Sequence, residues 1–329
     1  MLYIGCYTAA TGGNGTGLTA LRQEPSGALT QVGALAMPSP SWLTRHPTAP
    51  VLYATNESAD GAITTVDLDG LTAVDTVPSG GADPCHLEIT ADQRFLLCAN
   101  YSSGSLAVFG LAADGRITGR TDLVTHEGSG PDADRQEAAH VHMAVSLEGP
   151  QGTIVAAVDL GTDEIRGYLL SEVGTLEPLA VSALPPGTGP RQLVRRQGTE
   201  LAYVAGELAG TLVTVREGPA GTFTPVDVAQ ATVTPYEDGP NYVAHLELAG
   251  DRLYLSNRGP DCVTEFDLGG ETPKAVADHP SGAFPRHFSL VDGVCHVAAQ
   301  RDDAIVSFPL AGGPATRFAT GTPTCVIPG

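Results

Sequence analysis

The sequence predicts an all-β fold, a seven-bladed β-propeller closed by strands from both termini and forming a single domain over residues 1–329, and three observations lead there. Of 329 residues, 40 are Gly and 25 are Pro, so about one residue in five interrupts regular structure and long helices are improbable. A short strand-like segment ending in a polar residue recurs six times along the chain. A seventh copy appears when the chain is read as a circle, which is the pattern of a repeat architecture whose ends share one sheet.

The recurring segments are 51–56, 95–100, 154–159, 201–207, 253–257 and 294–300. Each follows an anchor residue, usually placed just after a proline: Trp42, His86, His142, Gln192, His245 and His287. Five copies then precede another short strand, at 105–109, 164–168, 211–215, 262–266 and 304–308. In the seventh copy Cys325 is the anchor, and residues 2–7 and 17–21 supply the next two strands. Successive anchors are 44, 56, 50, 53, 42 and 38 residues apart, with 46 across the termini, a mean of 47. Four short strands at this period make one propeller blade. Sharing the last blade between the termini removes sheet edges that would otherwise invite aggregation. The WD dipeptide and its GH partner are absent, so the repeat is not of the WD40 type.

Composition narrows the function classes. Against 37 acidic residues stand 17 basic ones, a net charge of -20, which argues against nucleic acid and against an anionic membrane as partners. At 42% apolar residues the chain still builds a large core. No apolar run approaches the roughly 20 residues of a membrane helix, and the opening residues carry no leader pattern, so a cytoplasmic monomer is expected. The six cysteines sit singly in apolar segments without CxxC spacing, which reads as buried free thiols. Cys85 abuts His86, but a nucleophilic thiol needs a cationic setting that sequence does not display. The glycine-rich stretch 12–17 lacks dinucleotide-binding spacing and is read as a flexible hairpin tip.

If each anchor opens the innermost strand of a blade and each polar residue closes the second, antiparallel pairing brings both to one mouth of the propeller. Five of nine histidines lie at or within two residues of an anchor: His86, His140, His142, His245 and His287. Three arginines, Arg191, Arg258 and Arg286, occupy equivalent corners, and the planar guanidinium fork suits a carboxylate, a phosphate or a developing oxyanion. Glu207 stands where other blades carry Asn, Gln or Asp, and with His142 it offers acid–base chemistry; its bland reading is a salt bridge to Arg191. The alternation of His140 and His142 places both rings on one strand face, but no third ligand is near, so neither metal nor cofactor is expected. Asn100, Asp159, Asn257 and Gln300, the polar strand endings, join His86, His140, Arg286 and His287 as candidate substrate contacts.

In this order, Pro84-Cys-His-Leu87, Ala99-Asn-Tyr-Ser-Ser-Gly-Ser105, Arg135-Gln136, His140-Val-His142, Val158-Asp-Leu-Gly-Thr-Asp163, Gly189-Pro-Arg191, Glu207-Leu208, Ser256-Asn-Arg-Gly259 and Pro285-Arg286 resemble the seven-bladed lactonase family. That family includes the cycloisomerase-type 6-phosphogluconolactonases of bacteria and the fungal carboxy-muconate lactonizing enzymes. The resemblance covers the whole chain and implies catalytic roles for His142, Arg191, Glu207 and Arg258. Gln192 departs from the Gly-Pro-Arg-His usual in the family, and the inner hairpins after His245 and His287 are short. The activity implied is hydrolysis of a small anionic sugar lactone, 6-phosphogluconolactone foremost, as in the pentose phosphate pathway. A muconate-type cycloisomerase is the alternative. A non-enzymatic propeller binding a protein or glycan ranks third, because it calls for aromatic patches and aromatics make up only 5% of the chain.

Overall fold

Apolar strands cut short by Gly- and Pro-bearing turns leave little choice but small antiparallel sheets, and the computed structural model, which describes residues 1–149, 152–270 and 272–329, contains seven of them. Each has four strands, 28 among the described residues, accompanied by three short 3₁₀ turns. This is the seven-bladed propeller class. The sheet shared by the termini runs Pro323–Pro328, Leu2–Cys6, Gly17–Gln23, Leu29–Ala36, with Tyr3 opposite Ile327 and Gly5 opposite Cys325.

By contact the chain falls into two compact units. One comprises Met1–Leu43, Ala205–Thr214 and Asp227–Gly329; the other comprises Thr44–Val204 and Val215–Val226. In the first, Leu2, Ile4, Leu21, Ile305 and Val326 form a buried cluster that ties the two termini together by apolar contact. In the second, Phe95, Leu97, Leu106, Val108, Val141 and Val155 belong to one core. Strands covered on both faces read as unbroken apolar runs, as Phe95–Asn100 does, whereas outer strands such as Thr222–Gln230 alternate between buried and exposed. The stretch 12–17 is not a loose tip: Asn14 donates to Asp303 at 2.7 Å and its backbone N–H donates to Thr322 at 3.0 Å.

The first strand of each sheet presents an edge whose backbone groups need partners. At five of these edges a side chain from the first strand of the preceding sheet supplies one. Thr44 donates to the Leu87 carbonyl at 2.7 Å, Glu88 accepts the Ser146 N–H at 2.5 Å, and the Met143 sulfur accepts the Leu193 N–H at 3.2 Å. In the other unit Glu247 accepts the Leu290 N–H at 3.0 Å and His287 Nδ1 accepts the Val326 N–H at 3.4 Å.

Glu88 also accepts the Ser146 hydroxyl at 2.7 Å, and burial pushes its carboxyl up to about 7 against those bonds. Between the ordinary glutamate range and about 7 the folded protein therefore holds a proton that the unfolded chain releases. The stabilisation is full below the unfolded value and is lost as pH rises through the folded one. Glu88→Gln keeps an acceptor oxygen but cannot ionise, so its stability relative to wild type should climb between about pH 5 and about pH 8 in urea unfolding. A difference that stays flat over that interval would show that the carboxyl is charged in the fold.

Candidate functional site

The local device that builds the site is a β-bulge at the opening of the first strands. Pro84 pairs with Asn100 and His86 with Ala99, so Cys85 is the extra residue. In the same way His142 is extra between Val141 and Met143, Arg286 between Pro285 and His287, and Thr324 between Pro323 and Cys325. A bulge re-aims the inserted side chain and interrupts strict alternation, and a preceding proline, lacking an N–H, is tolerated there. The strand face expected to carry both His140 and His142 is therefore not a simple alternating face: His140 precedes the strand Val141–Gly149 and His142 sits in its bulge.

In the unit containing Thr44–Val204, Arg191 and His142 are buried and meet directly, the guanidinium Nη1–H donating to His142 Nε2 at 2.6 Å. Cys85 Sγ lies 3.9 Å from His142 Nδ1 and donates to the His142 carbonyl at 3.4 Å. The Tyr101 ring stacks on His140 at 4.4 Å and stands edge-on to His142 at 5.6 Å, while Arg135 donates to the Tyr101 hydroxyl at 3.3 Å. His86 is buried on the neighbouring first strand, Pro84–Ile89.

Behind the two histidines lies a fully buried carboxylate. Asp159 accepts the N–H groups of His140 and Gly161 on one oxygen, at 2.8 and 3.0 Å, and binds His126 Nδ1 at 2.7 Å on the other. Because the carboxylate accepts, Nδ1 carries a proton, and His126 Nε2 lies 2.9 Å from the Tyr168 hydroxyl. Burial by itself would raise the Asp159 pKa, but the hydrogen bonds and charge of His126, the His140 N–H and nearby Arg166 hold it below the usual range.

The other unit carries a second polar cluster. Glu207 and Arg258 form a buried ion pair at 2.7 Å. Arg258 also donates to the carbonyls of Tyr242 and Val243, at 2.9 and 3.3 Å, and lies over the Phe284 ring at 5.2 Å. These bonds offset part of the cost of burying its charge. Arg286 donates to the Tyr7 hydroxyl at 2.6 Å with its guanidinium over that ring at 5.0 Å. His245 and His287 stack at 3.7 Å, with Trp42 edge-on to both. Burial raises the Glu247 pKa beneath this pair, opposed by His287 and by the bonds from Leu290 and Ser289.

Two of the polar strand endings, Asn100 and Asn257, bond near their own strands. Asn100 donates to Ser105 at 3.2 Å, and Asn257 donates to Thr264 at 2.9 Å and accepts Asn241 at 2.8 Å. Gln300 opens a short 3₁₀ turn, its backbone N–H donating to the Phe284 carbonyl at 3.2 Å. Glu207 has an ion pair with Arg258. The clusters are also more aromatic than the composition led us to expect, with Tyr7, Tyr101 and Phe284 against cationic or imidazole groups. Tyr7 and Tyr101 each directly follow a strand end, Cys6 and Asn100, a repeated position that would have flagged them. Among the described residues no group of three or more His, Cys, Asp or Glu is arranged to hold a metal ion.

Asp159→Asn should cost about 3 kcal/mol of folding stability, because it removes one partner of a buried pair and leaves His126 facing a neutral amide. Denaturant unfolding of that variant checks this, and an effect below about 0.5 kcal/mol would contradict the clamp role.

Comparisons with known proteins converge. A family model described as lactonase, 7-bladed beta-propeller, matches residues 1–327. A 6-phosphogluconolactonase of Bacillus subtilis is 30% identical over 297 residues, covering 87% of this chain and 83% of that protein. A 6-phosphogluconolactonase of Formosa agariphila is 26% identical over 310 residues, covering 88% and 86%. Among solved structures, a periplasmic gluconolactonase of Pseudomonas aeruginosa superposes with a TM-score of 0.90 at 25% identity, covering 99% of this chain and 98% of that one. No helix among the described residues is long and apolar enough to cross a membrane.

Proposed function

The chain belongs to the seven-bladed β-propeller lactonase family, and we propose that it hydrolyses a phosphorylated sugar lactone, 6-phosphogluconolactone, to the open acid. The observation that carries this reading is the buried contact between Arg191 and His142, a guanidinium set directly on a potential base. Glu207 or His142 takes a proton from the attacking water, and Arg191 and Arg258 stabilise the oxyanion and the product carboxylate. Arg286, His86 and His287 bind the phosphate or hydroxyls, with His140, Asn100, Asp159, Asn257 and Gln300 as further substrate-binding residues, Asp159 also holding the His140 backbone. No cofactor takes part in this scheme, and the protein works as a cytoplasmic monomer in the pentose phosphate pathway, where a phosphorylated lactone is met. Similarity to a periplasmic gluconolactonase supports a second substrate, the lactone without phosphate, which would go with a different compartment.

A panel of sugar lactones with and without phosphate, assayed by acid release in the presence of chelator, separates the two substrates. Glu207→Gln and Arg191→Ala should each lower kcat/KM by about a hundredfold or more, the size expected when one charge-stabilising group is lost. Wild-type rates in both purified variants would remove these residues from the mechanism.

A further inference from the structure

An arginine can only donate hydrogen bonds. The 2.6 Å contact from Arg191 Nη1 to His142 Nε2 therefore requires a lone pair on Nε2, and a neutral imidazole then carries its proton on Nδ1. That nitrogen faces the Cys85 sulfur at 3.9 Å. The thiol proton is directed elsewhere, toward the His142 carbonyl at 3.4 Å and the Val141 carbonyl at 3.8 Å, which leaves sulfur lone pairs to accept the Nδ1–H. Cys85 and His142 are both bulge residues of their strands, so neither side chain occupies an ordinary position on its sheet face.

We propose that Cys85 is a positioning residue for His142: its sulfur and the Arg191 guanidinium together fix the imidazole as the Nδ1–H tautomer, with the basic Nε2 covered by Arg191 until an anion engages that guanidinium. The inference rests on the lactonase reading and adds a sequence of events to it. When the lactone carbonyl or a carboxylate binds Arg191, Nε2 is uncovered. Water then adds to the carbonyl carbon while its proton passes to Nε2, and the imidazolium keeps its Nδ1–H on Cys85. Collapse of the tetrahedral oxyanion breaks the bond from the carbonyl carbon to the ring oxygen. That oxygen takes the proton back from Nε2, giving the open hydroxy acid and restoring the neutral histidine. The thiol is neither nucleophile nor acid in this scheme, and no bond to sulfur forms or breaks.

Two readouts test it on the full-length protein. Long-range proton–nitrogen correlation spectra of ¹⁵N-histidine-labelled protein, with His142 assigned through His142→Gln, report the tautomer without any activity being needed. Free wild-type protein should show Nδ1 protonated and Nε2 bare, and gluconate added as an anionic probe should move the Nε2 signal. Cys85→Ala should move the His142 Nδ1–H signal, as its acceptor is lost and the ring is freed, and should lower kcat about tenfold with KM within twofold, the scale of losing a base's orientation rather than the base. Cys85→Ser, which keeps a group able to accept the Nδ1–H, should restore both. An Nε2–H tautomer in free wild-type protein, or an unchanged His142 spectrum in Cys85→Ala, overturns the proposal. If the wild-type tautomer is as expected but no lactone is hydrolysed, the functional reading fails while the tautomer assignment stands.

Discussion

The exposed edge of each first strand is the constraint on which the remaining features rest. A four-stranded sheet leaves the backbone groups of that edge unpaired, and unpaired groups shielded from water are costly. In both units the answer is the same: a side chain on the first strand of one sheet bonds the first strand of the next, through Thr44, Glu88 and Met143 in one unit and through Glu247 and His287 in the other. The partners differ chemically, from hydroxyl to carboxylate to thioether, so what is preserved is the geometry of the link and not the residue. Holding first strands in register with their neighbours fixes where each of them begins, and several residues of the proposed site, such as His86, His142 and Arg191, lie at those beginnings.

The bulges convert that fixed start into chemistry. A regular strand would point Cys85, His142 and Arg286 by strict alternation; the extra residue in the pairing frees each from it. The buried Asp159 then holds the backbone of His140 from behind, and the His126 and Tyr168 chain keeps the carboxylate ionised in an apolar surrounding. Arg258 is held in a comparable way by two backbone carbonyls and Glu207. His142 and Glu207, the two residues proposed as bases, are thus each in contact with an arginine. Such pairing favours a site that awaits an anion, because an anion competes for the same guanidinium donors.

The acidic surface does not conflict with an anionic substrate. A net charge of -20 spread over the exterior is screened within about 8 Å at physiological salt, whereas a buried guanidinium acts at hydrogen-bond distance on whatever touches it. The charge argument bears on partners that contact broad surface, and it leaves small molecules open.

Repeat period, blade number and the sheet shared by the termini were all legible in the sequence, because hydrophobic runs and turn residues act locally and a one-dimensional pattern carries them. The residues of the proposed site, His142, Arg191, Glu207 and Arg258, could be named from the sequence because they lie in or beside repeated strand openings and endings. Their pairings could not. The sequence set Glu207 against Arg191, whereas the ion pair at 2.7 Å is with Arg258, which also donates to the Tyr242 and Val243 carbonyls. The approach of Cys85 to His142 likewise depends on bulges, a one-residue excess in pairing between strands, at both residues. Sequence alone determined which residues come to the strand openings; tertiary structure decided which of them touch, because contact across strands is set by register and side-chain direction, neither of which is encoded at any single position.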